Sequence, residues 1–260
     1  MTETNRKPLI LVTNDDGIKA GGLVALVKVL KEFGDVVIAA PNESYSGMAH
    51  AITVKHPLYA KLVKDKKGLK LYKINGTPVD CVKLAINQLL DRKPDLVVSG
   101  INHGANSSIS LHYSGTMGAA REGALSDIPS VGFSLLNYSY EADFTKAAEI
   151  ARDVIKNMLA QKLPQGAYLN VNVPDGNEVK GLKTVRQANG RWVEEFIERK
   201  DPRGRDYYWL TGSFKNLEPD ATDTDEYVLS QGYASLVPCQ LDSTAHALIS
   251  ELKSYETSHK

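Results

Sequence analysis

The first apolar run of the chain, Leu9-Ile10-Leu11-Val12-Thr13, stops abruptly at Asn14-Asp15-Asp16-Gly17. A short β-compatible run bounded by a polar turn predicts a buried strand, central in a parallel sheet. Leu23, Leu26, Val27 and Leu30 then recur at helical spacing and predict a helix over residues 23–33. Residues 36–40 predict a second strand, followed by the polar loop 41–47. From about 51 to 74 the pattern alternates loosely between lysine-rich turns, a β excursion from the sheet. Thr77-Pro78-Val79-Asp80 predicts a helix start, with Thr77 as N-cap, Pro78 at the first helical position and Asp80 in the first turn. That helix is expected to run to about Leu90. Residues 95–100 predict another strand, 101–113 a loop, 115–125 a helix of small residues and about 130–133 a strand.

Beyond this point the pattern loosens. Ala147, Ala148, Ile150, Ala151, Ile155 and Met158 predict a helix over 144–159, and 168–174 reads as a strand closed by Pro174. Residues 182–210 read as β ribbon, with a hairpin turn at Asp201-Pro202-Arg203-Gly204. A short helix near 224–231, a strand at 233–237 and a helix from about 242 to 252 complete the reading. The βαβα alternation of about the first 135 residues predicts an α/β fold, a mostly parallel sheet with helices on both faces. A β-rich hairpin extension and a C-terminal helical arm are added to it. No repeat or linker divides the chain, so residues 1–260 are expected to form a single domain, a core of about 8–180 and an extension of about 181–260.

Composition narrows the class. Lys+Arg and Asp+Glu both number 31, so no global field recruits a nucleic-acid polymer or an anionic membrane. Residues 1–7 lack the apolar centre of a signal peptide and no long apolar run follows, which leads us to expect a cytoplasmic protein without a membrane span. Cys81, in a predicted helix, and Cys239, in a late strand or turn, are too scattered for a disulfide framework or a zinc site and read as buried thiols.

Candidate chemistry gathers where predicted strands end, the edge at which open α/β sheets bind ligands. Asp15 and Asp16 are adjacent; at about 4 Å and an effective dielectric of about 20 their charges repel by roughly 4 kcal/mol. A hard divalent cation relieves that repulsion, if the chain turns so that both side chains reach it, and Gly17 permits the turn; a solvated Asn-Asp-Asp-Gly turn is the alternative. Ser46, after the second strand, offers a hydroxyl oxygen and Asn102 a neutral carbonyl oxygen to the same ion. Ser114, Gly115 and Thr116 open the small-residue helix, whose free amides and dipole suit a phosphate; an ordinary N-cap is the alternative.

Taken in order, Thr13-Asn14-Asp15-Asp16-Gly17, Ala40-Pro41 through Ser46-Gly47, Gly76-Thr77-Pro78-Val79-Asp80-Cys81, Ser99-Gly100-Ile101-Asn102-His103-Gly104 and Tyr113-Ser114-Gly115-Thr116 resemble the SurE survival-protein family of nucleoside 5′-monophosphate phosphatases. Asn170-Val171-Asn172-Val173-Pro174, Thr222-Asp223-Thr224-Asp225 and Gly232-Tyr233 extend the likeness to about residue 250. The resemblance implies a Rossmann-like core, one divalent cation (Mg²⁺ or Mn²⁺), cytoplasmic location and a homodimer or homotetramer. It implies Asp15, Asp16, Ser46 and Asn102 as metal ligands, and Asn106, Ser114 and Thr116 near the substrate phosphate. Asn14 would orient a ligand or the attacking group. Nucleoside 5′-monophosphates are the implied substrates, with 3′-nucleotides and short polyphosphate as further candidates. The chain departs from the family pattern at residues 106–112, where many relatives carry an acidic, Gly-containing stretch.

The remaining polar residues are read more plainly. His103 and His112 are taken as loop histidines bonded to backbone, with phosphate contact as the alternative; His50, His56, His246 and His259 have no ligand-spaced neighbours. Arg121-Glu122 reads as an exposed or interfacial pair. Tyr207-Tyr208-Trp209 reads as a packed strand or subunit contact, with base stacking as the alternative. Two other functions stand beside the main one. Haloacid-dehalogenase-type phosphatases separate their two Asp by one residue, which adjacent Asp15 and Asp16 do not match. A non-catalytic nucleotide-binding module lacks support because Gly17, Gly21 and Gly22 do not have the dinucleotide-binding spacing.

Overall fold

Both faces of the first strand are buried, and its alternate side chains feed two cores. The computed structural model describes residues 6–161, 163–176 and 178–257; residues 1–5 of the leader and His259 lie outside them. In chain order the elements are β1 (Leu9–Thr13), α1 (Gly21–Phe33), β2 (Asp35–Pro41), β3 (Ala60–Lys66), β4 (Leu69–Ile74), α2 (Pro78–Leu84), β5 (Leu96–His103), α3 (Gly115–Leu125), β6 (Ser130–Leu135), α4 (Thr145–Ala160) and β7 (Ala167–Val173). The extension adds β8 (Leu182–Thr184), β9 (Gly190–Val193), β10 (Phe196–Lys200), β11 (Asp206–Leu210), β12 (Ser213–Asn216), α5 (Asp225–Ser230) and β13 (Ala234–Gln240).

Nine strands form one sheet in the order β3-β4-β2-β1-β5-β6-β7-β13-β8. From β4 to β7 every neighbouring pair is parallel; β3 on β4 and β13 on β7 are antiparallel. Ile10 and Val12 pack with Leu23, Leu26 and Leu30 of α1 and Ala151 and Ile155 of α4. Leu11 faces the opposite way, to Cys81 and Val82 of α2 and Ala119 of α3. Each fully buried aliphatic side chain contributes about 1.5–3 kcal/mol, so the period-two alternation of β1 anchors a helix layer on each face. The mostly parallel α/β sheet expected from the sequence is the observed fold. Among the described residues no helix is long and apolar enough to cross a membrane.

Local signals placed α2 well. Thr77 Oγ1 accepts from the Asp80 amide at 3.1 Å and Asp80 Oδ2 accepts from the Thr77 amide at 2.9 Å, a reciprocal cap. Three elements differ from expectation. The α-helical ladder ends at Leu84 instead of about Leu90, and Ala85–Leu89 form a π-turn closed by Leu90 N–H to Ala85 O at 3.0 Å. β5 continues past Gly100 to His103, because Asn102 and His103 regain pairing with Ser134 and Leu135 of β6 after a register shift. In place of a helix over 242–252 there are two short 3₁₀ turns, His246–Leu248 and Glu251–Tyr255. None of their residues is buried, so no packed face holds an α-helix together there.

Candidate active site

The carboxyl ends of β1, β2 and β5 converge on a cavity of about 880 Å³ whose wall includes Asp15, Asp16, Ser46, Asn102, Asn106 and Ser114. Asp15 is only 3% exposed, since it leaves β1 directly beneath the N-terminus of α3. Its Oδ1 accepts from Thr116 Oγ1 at 2.6 Å and its Oδ2 from the Thr116 amide at 3.2 Å. A Cβ at Gly115 would lie 3.0 Å from both Cβ and Oδ2 of Asp15, so glycine lets the helix end approach the carboxylate. Asp16 Oδ2 accepts from the His103 amide at 3.2 Å, tying the turn after β1 to the end of β5. The Tyr45 amide donates to Asp15 O at 2.8 Å and brings up the loop of Ser44 and Ser46, whose hydroxyl oxygens lie 3.0 Å apart.

The geometry redirects part of the expected phosphate cradle. Gly115 and Thr116 are buried away from the cavity wall; both Thr116 donors and the helix dipole act on Asp15. Ser114 does line the cavity, and its Oγ accepts the Met117 amide at 3.0 Å. Asn14 is fully buried and off the wall: its Nδ2 donates to Gly17 O at 2.9 Å, fixing the turn that carries the two acids. Asn102 Nδ2 donates to Gly104 O at 2.9 Å, which leaves its carbonyl oxygen without a hydrogen-bond donor among the described residues. His103 lines the cavity edge-on to Phe144, whereas His112 sits in a separate hollow beside Arg121 and Tyr168.

Burial, with the Asp16 charge a smaller contributor, pushes the Asp15 carboxyl up to about 6 against the Thr116 bonds. Burial also raises Asp16, opposed by its bond from the His103 amide. Among the described residues neither carboxylate is ion-paired with a lysine or arginine, although Lys19 also lines the cavity. Nor do three His, Cys, Asp or Glu side chains cluster as a metal site among the described residues. A cation here would therefore take two carboxylates and neutral oxygens such as those of Ser46 and Asn102, a donor set that suits a hard ion.

Several residues outside the expected site support it. Asn170 and Asn172, alternate positions of β7, hold Asn106: Asn172 Oδ1 accepts its amide at 2.7 Å and Asn170 Nδ2 donates to its carbonyl at 2.8 Å. Two asparagines on one face of a buried strand were the available clue. Asp225 accepts from the amides of Ser108 and Ala188, both at 2.8 Å, joining the site loop to the extension. Of the exposed or interfacial pair expected at Arg121-Glu122, Glu122 is not exposed; it is buried between His50 at 2.9 Å and Lys83 at 2.8 Å, because the loop after β2 folds across α3.

An open, mostly parallel sheet with an acidic crevice at its strand ends defines a Rossmann-like α/β protein. The chain belongs to the survival protein SurE family, whose model matches residues 10–194. A protein of Christiangramia forsetii named 5′-nucleotidase SurE is 53% identical over 96% of this chain and 97% of its own length. A Chlorobaculum tepidum protein of the same name is 42% identical over 98% and 97%. The crystal structure of the SurE protein from Aquifex aeolicus superposes with a TM-score of 0.83 at 35% identity, covering 96% of this chain and all of that one.

Proposed function

We propose that this chain hydrolyses nucleoside 5′-monophosphates to nucleoside and phosphate, with one divalent cation, Mg²⁺ or Mn²⁺, held by Asp15, Asp16, Ser46 and Asn102. The observation that carries the reading is the adjacent acidic pair, pushed up by burial and ion-paired with no lysine or arginine among the described residues, at the wall of a cavity large enough for a nucleotide. Relatives named 5′-nucleotidase SurE match nearly the whole chain. When bound, the cation supplies positive charge against the phosphoryl oxygens, where negative charge builds in phosphoryl transfer.

The chain's own groups bind and orient. Ser114 Oγ accepts the Met117 amide and so keeps its proton for a phosphate oxygen. Asn106 uses one side-chain N–H on Ser134 Oγ, at 2.8 Å, and has a second for the same anion. Gly115 and Thr116 act behind them by positioning Asp15, and Asn14 by fixing the turn through Gly17. Water is added across the bond between phosphorus and the ester oxygen, with its protons shared between nucleoside and phosphate.

Residues 1–260 work as a single domain, a core of about 8–180 with an extension of about 181–260 that contributes Trp192 and Leu210 to the cavity. The active form is a homodimer or homotetramer, a reading supported by exposed apolar residues of the β10–β11 hairpin. The cytoplasm is its compartment, and the balance of 31 basic against 31 acidic residues argues against a nucleic-acid polymer or a membrane as partner.

Phosphate release from AMP and GMP tests the reading, with 3′-nucleotides and short polyphosphate assayed alongside. Hydrolysis is expected with Mg²⁺ or Mn²⁺ and should stop on chelation. Asp15→Asn and Asp16→Asn should each fold yet lose about a hundredfold or more in kcat. Full turnover after exhaustive metal stripping, or in both variants, overturns the assignment.

A further inference from the structure

We propose that the aromatic wall of the same cavity is a nucleobase subsite, formed by Tyr138 and Tyr140 of the loop after β6 together with Trp192 of β9. This rests on the nucleotidase reading and deepens it, because a phosphate and its cation fill only a small part of about 880 Å³. Both rings line the cavity and are open to a ligand, Tyr138 75% exposed and Tyr140 99%. Their loop is nonetheless built. The Ser139 amide donates to Asn137 Oδ1 at 2.7 Å and the Glu141 amide to Ser139 Oγ at 3.2 Å.

Tyr138 is also seated against the metal-ligand strand. A Cβ at Gly104 would lie 2.2 Å from its ring, so the ring packs on bare backbone two residues beyond Asn102. Tyr140 approaches His103 with ring centroids 6.5 Å apart. Trp192 comes from the extension, half-buried and held by an edge-to-face contact with Phe214 at 6.1 Å, its cross-strand partner in β12. Aromatic faces beside a charged crevice fit a flat heterocycle tethered to an anion. Every base offers a π-face, so such a wall separates nucleotides from base-free phosphates more than one base from another. Glu195 and Thr211, also on the wall, supply the polar atoms for whatever base preference exists.

The test compares AMP with ribose 5-phosphate, which keeps the phosphate and sugar and lacks the base. The wild-type protein should favour AMP in kcat/KM by about tenfold or more, mainly through KM. In the doubly substituted Tyr138→Ala, Tyr140→Ala protein, AMP should lose at least about fivefold more than ribose 5-phosphate. Both positions are exposed, and circular dichroism checks that the fold is kept. Equal kcat/KM for the two substrates in the wild type, or equal losses in the variant, overturns the subsite. If the wild type hydrolyses neither, the phosphatase reading fails, and adenosine binding followed by saturation-transfer NMR then decides alone. Binding that weakens in the variant supports the subsite, and no binding to the wild type refutes it.

Discussion

Thr116 directs its hydroxyl and its amide onto one carboxylate, at 2.6 and 3.2 Å, and so leaves Asp15 held before any ligand arrives. Replacing it by valine keeps the shape and removes one donor from a buried acid, at a cost of about 1–3 kcal/mol. The expected outcome for Thr116→Val is a rise of about tenfold in the Mn²⁺ concentration giving half-maximal hydrolysis, restored by Thr116→Ser. Unchanged cation dependence in the valine variant would show that Asp15 is held by other means. Here the limits of reading by sequence are plain. Asp15 and Asp16 announce themselves because the apolar run before them is local. Thr116 stands 101 residues downstream, and its Ser-Gly-Thr context suggests a phosphate cradle equally well. Only the packing of α3 against the end of β1 decides that its donors face a carboxylate.

At the scale of elements, the loop after β2 matters because it carries Ser46. Its far end is pinned at three places: Thr53 donates to Asp80 Oδ2 at 2.6 Å, Thr77 Oγ1 donates to Ala51 O at 2.7 Å, and His50 meets Glu122 at 2.9 Å. Burial alone would raise the Glu122 carboxyl, but the bonds of His50 and Lys83 outweigh it and hold its pKa below the ordinary glutamate value. A depressed folded-state pKa contributes stability above the unfolded value, and that stability is lost as pH falls through the folded one. Glu122→Gln should therefore unfold more easily than the wild type at neutral pH, by about 1–2 kcal/mol since Lys83 is half-exposed. The gap should narrow as pH falls below the ordinary glutamate value and on through the lowered folded-state one, as urea melts at neutral and acid pH would show. A gap independent of pH would assign the loss to packing. Elements with their signals inside them, such as the Thr77–Asp80 cap, were legible along the chain. The fold of a loop across α3, or the failure of residues 242–252 to form an α-helix for want of a packed face, depends on contacts from elsewhere.

At the scale of the whole molecule, the β10–β11 hairpin is the feature a single chain explains least. Among the described residues it pairs only with itself, outside the nine-stranded sheet, and sets Ile197 opposite Trp209 and Phe196 opposite Leu210. Phe196, Trp209 and Leu210 are each about two-thirds exposed, an apolar ribbon of the kind that a monomer rarely leaves in water. An isolated two-stranded hairpin is marginal in water, so a surface that covers it also stabilises it. A second copy of this chain is the occupant expected from the family resemblance. Ile197→Lys with Trp209→Lys places two charges on directly opposed positions of the ribbon while leaving the main sheet untouched. Sedimentation equilibrium should then fall toward the 28.4 kDa of one chain, with the circular dichroism of the core retained. Because Leu210 lies next to Trp209 and also lines the cavity, the dissociated form should bind AMP several-fold more weakly than the assembly. An assembly of unchanged mass would place the subunit contact on another face and leave the ribbon to another role.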